Sequence, residues 1–117
     1  MELRLTADEL ALLHEILKAW HQEFEKHLQQ ASDQQLQREL QQSHACVKGL
    51  LSNLLARRLE FDFEELDDLS RLLADSDSEF AAGVARQDDP ERKRAMQGKQ
   101  LVLKSLRDKV SEACVML

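Results

Sequence analysis

Shifted by 56 residues, the chain matches itself without a gap over about fifty positions. Glu9, Leu10, Leu13, Leu17, Glu23 and Phe24 recur as Glu65, Leu66, Leu69, Leu73, Glu79 and Phe80, and Asp33, Arg38, Gln41, Lys48 and Leu50 recur as Asp89, Arg94, Gln97, Lys104 and Leu106. Such a repeat restricts the architecture before any other reading, because both copies must form the same supersecondary unit. Conservative partners fill the gaps: Ile16 with Leu72, Leu28 with Val84, Leu40 with Met96, Val47 with Leu103 and Leu54 with Val110.

Within each copy the apolar residues fall three and four apart, at Leu10, Leu13, Leu17, Trp20, Phe24 and Leu28, then at Leu66, Leu69, Leu73, Phe80 and Val84. That spacing lines one face of an α-helix. Thr6 and Glu9 form a T-x-x-E capping box, and Asp62 with Glu65 repeats it. The first helix is therefore expected over about 7–30 and the third over about 63–86. Breaks follow at Ala31, Ser32 and Asp33, and at Gln87, Asp88, Asp89 and Pro90, where an aspartate N-cap precedes a proline at the first helical position. A second helix carries Leu36, Leu40, Val47, Leu50 and Leu54, and a fourth carries Met96, Leu103, Leu106, Val110, Ala113 and Leu117.

The expected fold is all-α: a single domain over 1–117, a four-helix bundle made of two repeated antiparallel helical hairpins, with repeats at 3–58 and 59–114. A dimer that completes a larger bundle is the main competitor, since either hairpin alone leaves an apolar stripe in water. Only three Gly and one Pro, with 43% hydrophobic and 32% charged residues, favour helix nearly throughout. Glu23 and Arg38 stand on either side of the first turn, Glu79 and Arg94 on either side of the second, so each is expected to close a structural ion pair near its hairpin tip. Trp20 has Ser76 as its repeat equivalent, and the indole is expected to fill the room the serine leaves.

The run LTADELALLHEILKAWHQEF, then Asp33 and Arg38 with Leu40, ending in GLLSNLLARRL, resembles a family of small bacterial helical-hairpin proteins. The resemblance covers each repeat once and implies a tandem duplication, a helical-hairpin structure and a bacterial origin. It implies no activity.

Candidate chemistry is sparse. His14, His21, His27 and His44 all lie in the first repeat, and their equivalents are Ser70, Asp77, Gly83 and Gln100, so a symmetric metal site is excluded. No Glu-x-x-His of the di-iron type occurs. No metal or cofactor is expected; His14, His21 and Glu25, on one flank of the first helix, are the residues that would take zinc opportunistically. Asp75, Asp77 and Glu79 alternate as at the start of a calcium loop, but Phe80 and Arg86 stand where that loop needs Gly and Glu. Glu60, Asp62, Glu64, Glu65, Asp67 and Asp68 cluster where the third helix begins, which suits the helix dipole and leaves an acidic docking face as the alternative.

Cys46 matches Val102 and reads as a core filler. Cys114-Val115-Met116-Leu117 fits the C-a-a-X lipidation pattern, although the same residues continue the fourth helix. The net charge is −6, with 7 basic and 8 acidic groups in residues 1–58 and 9 and 14 in residues 59–117. That balance opposes a nucleic-acid partner, because phosphate binding draws on many basic contacts. Arg92, Lys93 and Arg94, with Arg86, offer at most a local basic patch and, close to Asp88, Asp89 and Glu91, are expected to be a solvated helix start. No secretion signal or membrane span is read, so the expected setting is cytoplasmic with reduced thiols. The expectation is a non-enzymatic module that binds another protein or itself. The alternatives are a membrane-associated effector prenylated at Cys114 and a metal-binding helical bundle.

Overall fold

Thr6 and Glu9 do close a reciprocal box: the Glu9 N–H donates to Thr6 Oγ1 at 3.2 Å, and the Thr6 N–H donates to Glu9 Oε1 at 2.9 Å. From it runs α1, Ala7–Gln30, in a computed structural model that describes residues 2–116. Asp33 accepts from the Gln35 N–H and starts α2, Gln34–Leu55. Asp62 and Glu65 form the second complete capping box at the head of α3, Phe63–Arg86. Asp89 accepts from the Glu91 N–H at 3.0 Å and Pro90 opens α4, Pro90–Met116. These caps satisfy backbone donors that no helical carbonyl can reach.

The described residues are thus all-α, with four helices and one isolated antiparallel bridge between Glu2 and Glu60. Both ends of α1 and α3 lie 56 residues apart. Leu13 and Leu69, Leu17 and Leu73, Val47 and Leu103, Leu50 and Leu106, and Leu54 and Val110 are buried at both members of each pair. No described helix is long and apolar enough to cross a membrane.

Two compact units make up the chain. The first joins the residues up to Leu13 to those from Glu60 onward. Here α3 packs along α4, burying Leu66, Leu69 and Leu73 with Leu103, Leu106 and Val110. Leu3 and Phe61, next to the bridge, are also buried. Close approach marks the turn end of this pair, where a Cβ on Gly83 would stand 2.7 Å from the Met96 methyl. The second unit holds 14–59, the rest of α1 with α2, and buries Ile16, Leu17, Val47, Leu50 and Leu54. Trp20 is half-buried in this unit and tilts against Phe24, with ring centroids 5.6 Å apart.

Two expectations need correction. Leu36, expected on the apolar face of the second helix, is 46% exposed, because it sits in the first turn of α2 beside the loop, where little chain is available to cover it. Neither tip ion pair forms among the described residues. Glu23 Oε1 instead stands 2.9 Å from His27 Nε2, one turn along α1, while Arg38, Glu79 and Arg94 are exposed. An exposed pair gains only about 0.2–1 kcal/mol, too little to offset the side-chain entropy lost in holding two long side chains in one geometry.

Helix α2 ends in a Schellman motif. The Arg58 N–H donates to Asn53 O at 2.7 Å and the Arg57 N–H to Leu54 O at 3.0 Å. The motif requires a left-handed residue after the cap, and Arg57 supplies it at φ 58°. An L side chain is strained there, whereas glycine is not. Arg57→Gly should therefore raise stability by about 0.5–1 kcal/mol, seen as a higher urea midpoint at unchanged slope; an unchanged or lower midpoint would count against the strain.

Candidate functional site

Three ligand-type side chains converge in the second unit. His21 and Glu25 stand one turn apart on α1, and His44 faces them from α2. His44 Nε2 lies 3.5 Å from Glu25 Oε1, and His21 Nε2 lies 3.9 Å from the same oxygen. The two imidazoles stack at 4.4 Å between centroids, tilted by 34°. One ligand atom from each residue falls within 4.8 Å of the others. His44 Nε2 is shielded from solvent and has no hydrogen-bond partner, whereas Glu25 is 54% exposed. The trio is therefore a nitrogen-rich cluster, closed on the His44 side and open on the carboxylate side.

Of the expected zinc residues, the structure brings together His21 and Glu25, and His44 stands in the third place instead of His14. The hairpin explains the exchange. His21 lies 11 residues before Ser32 and His44 lies 12 after it, so an antiparallel pair of helices brings them level. His14 is seven residues further back along α1, about two turns away. The near-equal spacing about Ser32 is a signal in the sequence that pairing residues along one helix passes over.

A second polar centre lies in the first unit and was legible only in part. Glu9, 2% exposed, is the one charged residue of the buried set. Beyond its capping bonds it accepts from Lys109 Nζ at Oε1 and from Ser105 Oγ at Oε2, the latter at 3.1 Å. Lys109 Nζ also donates to Arg4 O at 2.9 Å. Burial pushes the Glu9 carboxyl up, but the hydrogen bonds from Lys109, Thr6 and Ser105 outweigh it and hold the group below its ordinary value. This constellation fastens residues 4–9 to α4, with its donors divided between the Glu9 carboxylate and the Arg4 carbonyl, so it reads as structural.

Between α3 and α4 lies an open groove of about 720 Å³, lined by Ser70, Asp77, Gln97, Gln100, Leu101, Lys104 and Arg107 among others. Arg107 bridges to Asp77 at 2.6 Å across it, which accounts for one member of the Asp-rich stretch; that stretch is continuous helix within α3. Leu101 is 72% exposed in this polar setting.

Cys114 and Cys46 are both half-buried thiols. Burial, and then the charge of Asp67, push the Cys114 thiol up, which lowers its thiolate population. Cys114, Val115 and Met116 belong to α4, and Leu117, the last residue of the C-a-a-X pattern, lies outside the described residues.

No family model, no curated protein and no solved structure matches this chain.

The Glu9 centre can be tested through acid. Its depressed carboxyl contributes stability that is complete above the ordinary value of 4.5 and is lost as pH falls through the lower folded-state value. The gap in unfolding free energy between the natural chain and Glu9→Gln should be constant from neutral pH down to that region and narrow below it. Lys109→Met, which leaves the carboxylate buried without its cation, should cost about 2 kcal/mol at neutral pH, less than a fully buried pair, because the Lys109 side chain is 35% exposed. Urea unfolding across pH measures both, and a gap that widens in acid would contradict the assignment.

Proposed function

We propose that this chain is a non-enzymatic interaction module, a tandem duplication of one antiparallel helical hairpin that docks a protein partner, or a second copy of itself, in the groove along α3 and α4. The duplication rests on the 56-residue offset, which the bounds of α1 and α3, the starts of α2 and α4 and the paired buried positions follow. The docking reading is carried by Leu101. This large apolar side chain is 72% exposed at the groove, and polar side chains of Gln97, Gln100 and Lys104 surround it. An apolar centre with a polar rim is the arrangement by which protein interfaces combine affinity with solubility in the free state.

Lys104 makes no ion pair or hydrogen bond among the described residues, so its ammonium is available to an acidic group on the partner. The Arg107–Asp77 bridge holds one edge of the groove in place. A cytoplasmic setting belongs to the same reading. Lipidation of Cys114 finds less support, since the residue is helical, half-buried and poorly ionised.

Affinity capture on the natural chain, read by mass spectrometry together with sedimentation velocity, tests this. One stoichiometric partner, or a concentration-dependent dimer, should be found, and Leu101→Asp should weaken the association by about tenfold or more. Lys104→Glu should weaken it less, with a loss that shrinks as salt is raised. Association left intact in Leu101→Asp would place the interface elsewhere.

A further inference from the structure

We propose that His21, Glu25 and His44 form a binding site for a borderline divalent transition-metal ion of the zinc class. Four observations converge on it. The donor set is two imidazole nitrogens and one carboxylate oxygen, which suits zinc and its neighbours and suits the hard cations magnesium and calcium poorly. The donors are already gathered: 3.5 Å and 3.9 Å separate the two Nε2 atoms from Glu25 Oε1, and all three lie within 4.8 Å. Ligands at about 2.0–2.1 Å from a tetrahedral ion stand roughly 3.4 Å apart, so modest side-chain rotation closes the set.

The third observation is the orphaned nitrogen. His44 Nε2 is shut off from solvent without a hydrogen-bond partner, an unfavourable state that a coordinated ion would relieve. Fourth, the ligands come from two helices. His21 and Glu25 stand at i and i+4 on α1 and act as a rigid chelate, while His44 closes the set from α2, so binding ties the hairpin together. With Glu25 half in water, the fourth coordination position faces solvent and takes a water molecule.

The neighbouring histidines supply the control. His27 is exposed and engaged with Glu23, and His14 is two turns away from the cluster. The experiment uses the full chain without a polyhistidine tag, stripped with chelator and titrated with Zn²⁺ against a chromophoric competitor. One equivalent should bind at micromolar affinity or tighter, and Mg²⁺ should not compete. His21→Ala, Glu25→Gln and His44→Ala should each weaken binding by at least about tenfold, whereas His27→Ala and His14→Ala should leave it unchanged. Should the cluster variants fail to fold, ¹⁵N imidazole spectra of the natural chain decide the matter: Zn²⁺ must move the Nε2 resonances of His21 and His44 and leave those of His14 and His27 in place. Absence of stoichiometric binding, equal losses in the His27 control, or shifts spread over all four histidines would overturn the proposal.

Discussion

A single buried carboxylate organises the first unit. Glu9 completes the capping box of α1 with one set of contacts and takes Ser105 and Lys109 of α4 with another. Lys109 then reaches the Arg4 carbonyl, so the extended segment before α1 is tied to the same point. A charge this deep would be costly if left unpaired. The surrounding donors turn that cost into a requirement on geometry, because residues 4–9 and the facing turns of α4 must take up one arrangement for all donors to be used. This accounts for the grouping of the first residues of α1 with α3 and α4 rather than with the rest of the first repeat.

The two segments related by the 56-residue offset hold matching buried apolar positions and differ in their polar content. The positions 56 residues before Ser105 and Lys109 hold Gly49 and Asn53, so no ammonium stands at the matching place in the first copy, and Glu65, the equivalent of Glu9, is only half-buried. In the other direction, the histidines and Glu25 of the first copy have no counterpart set in the second. Apolar positions tolerate exchange among Leu, Val and Met as long as volume is kept, which is why the repeat remains readable there. Polar residues are free to diverge wherever a single partner is enough, and both centres of this chain lie at such places.

Much of the local structure was legible. Each helix start is written in a short-range signal, Thr6 with Glu9, Asp33, Asp62 with Glu65, and Asp89 before Pro90, and each such signal acts within a few residues. The buried leucines follow from periodicity for the same reason. What escaped depends on distance along the chain. Ser105 and Lys109 lie 96 and 100 residues from Glu9, and no local rule connects them. The His21–His44 encounter lies between these extremes, since it needs the hairpin but only the hairpin. The expected Glu23–Arg38 and Glu79–Arg94 pairs used the same hairpin argument and did not form, because facing positions give opportunity, whereas an exposed ion pair has little energy with which to take it.

By itself the sequence determined four helices, where each starts and most of the stripe each buries, because caps and 3.6-residue periodicity are properties of neighbouring residues. Tertiary structure alone decided which polar groups meet: Glu9 with Lys109 and Ser105, His44 with Glu25 and His21, Arg107 with Asp77. Apolar packing accepts many near-equivalent partners and is written redundantly along a helix. A hydrogen bond or ligand contact is made by a few atoms at one distance and angle, and that geometry exists only once the chain has folded.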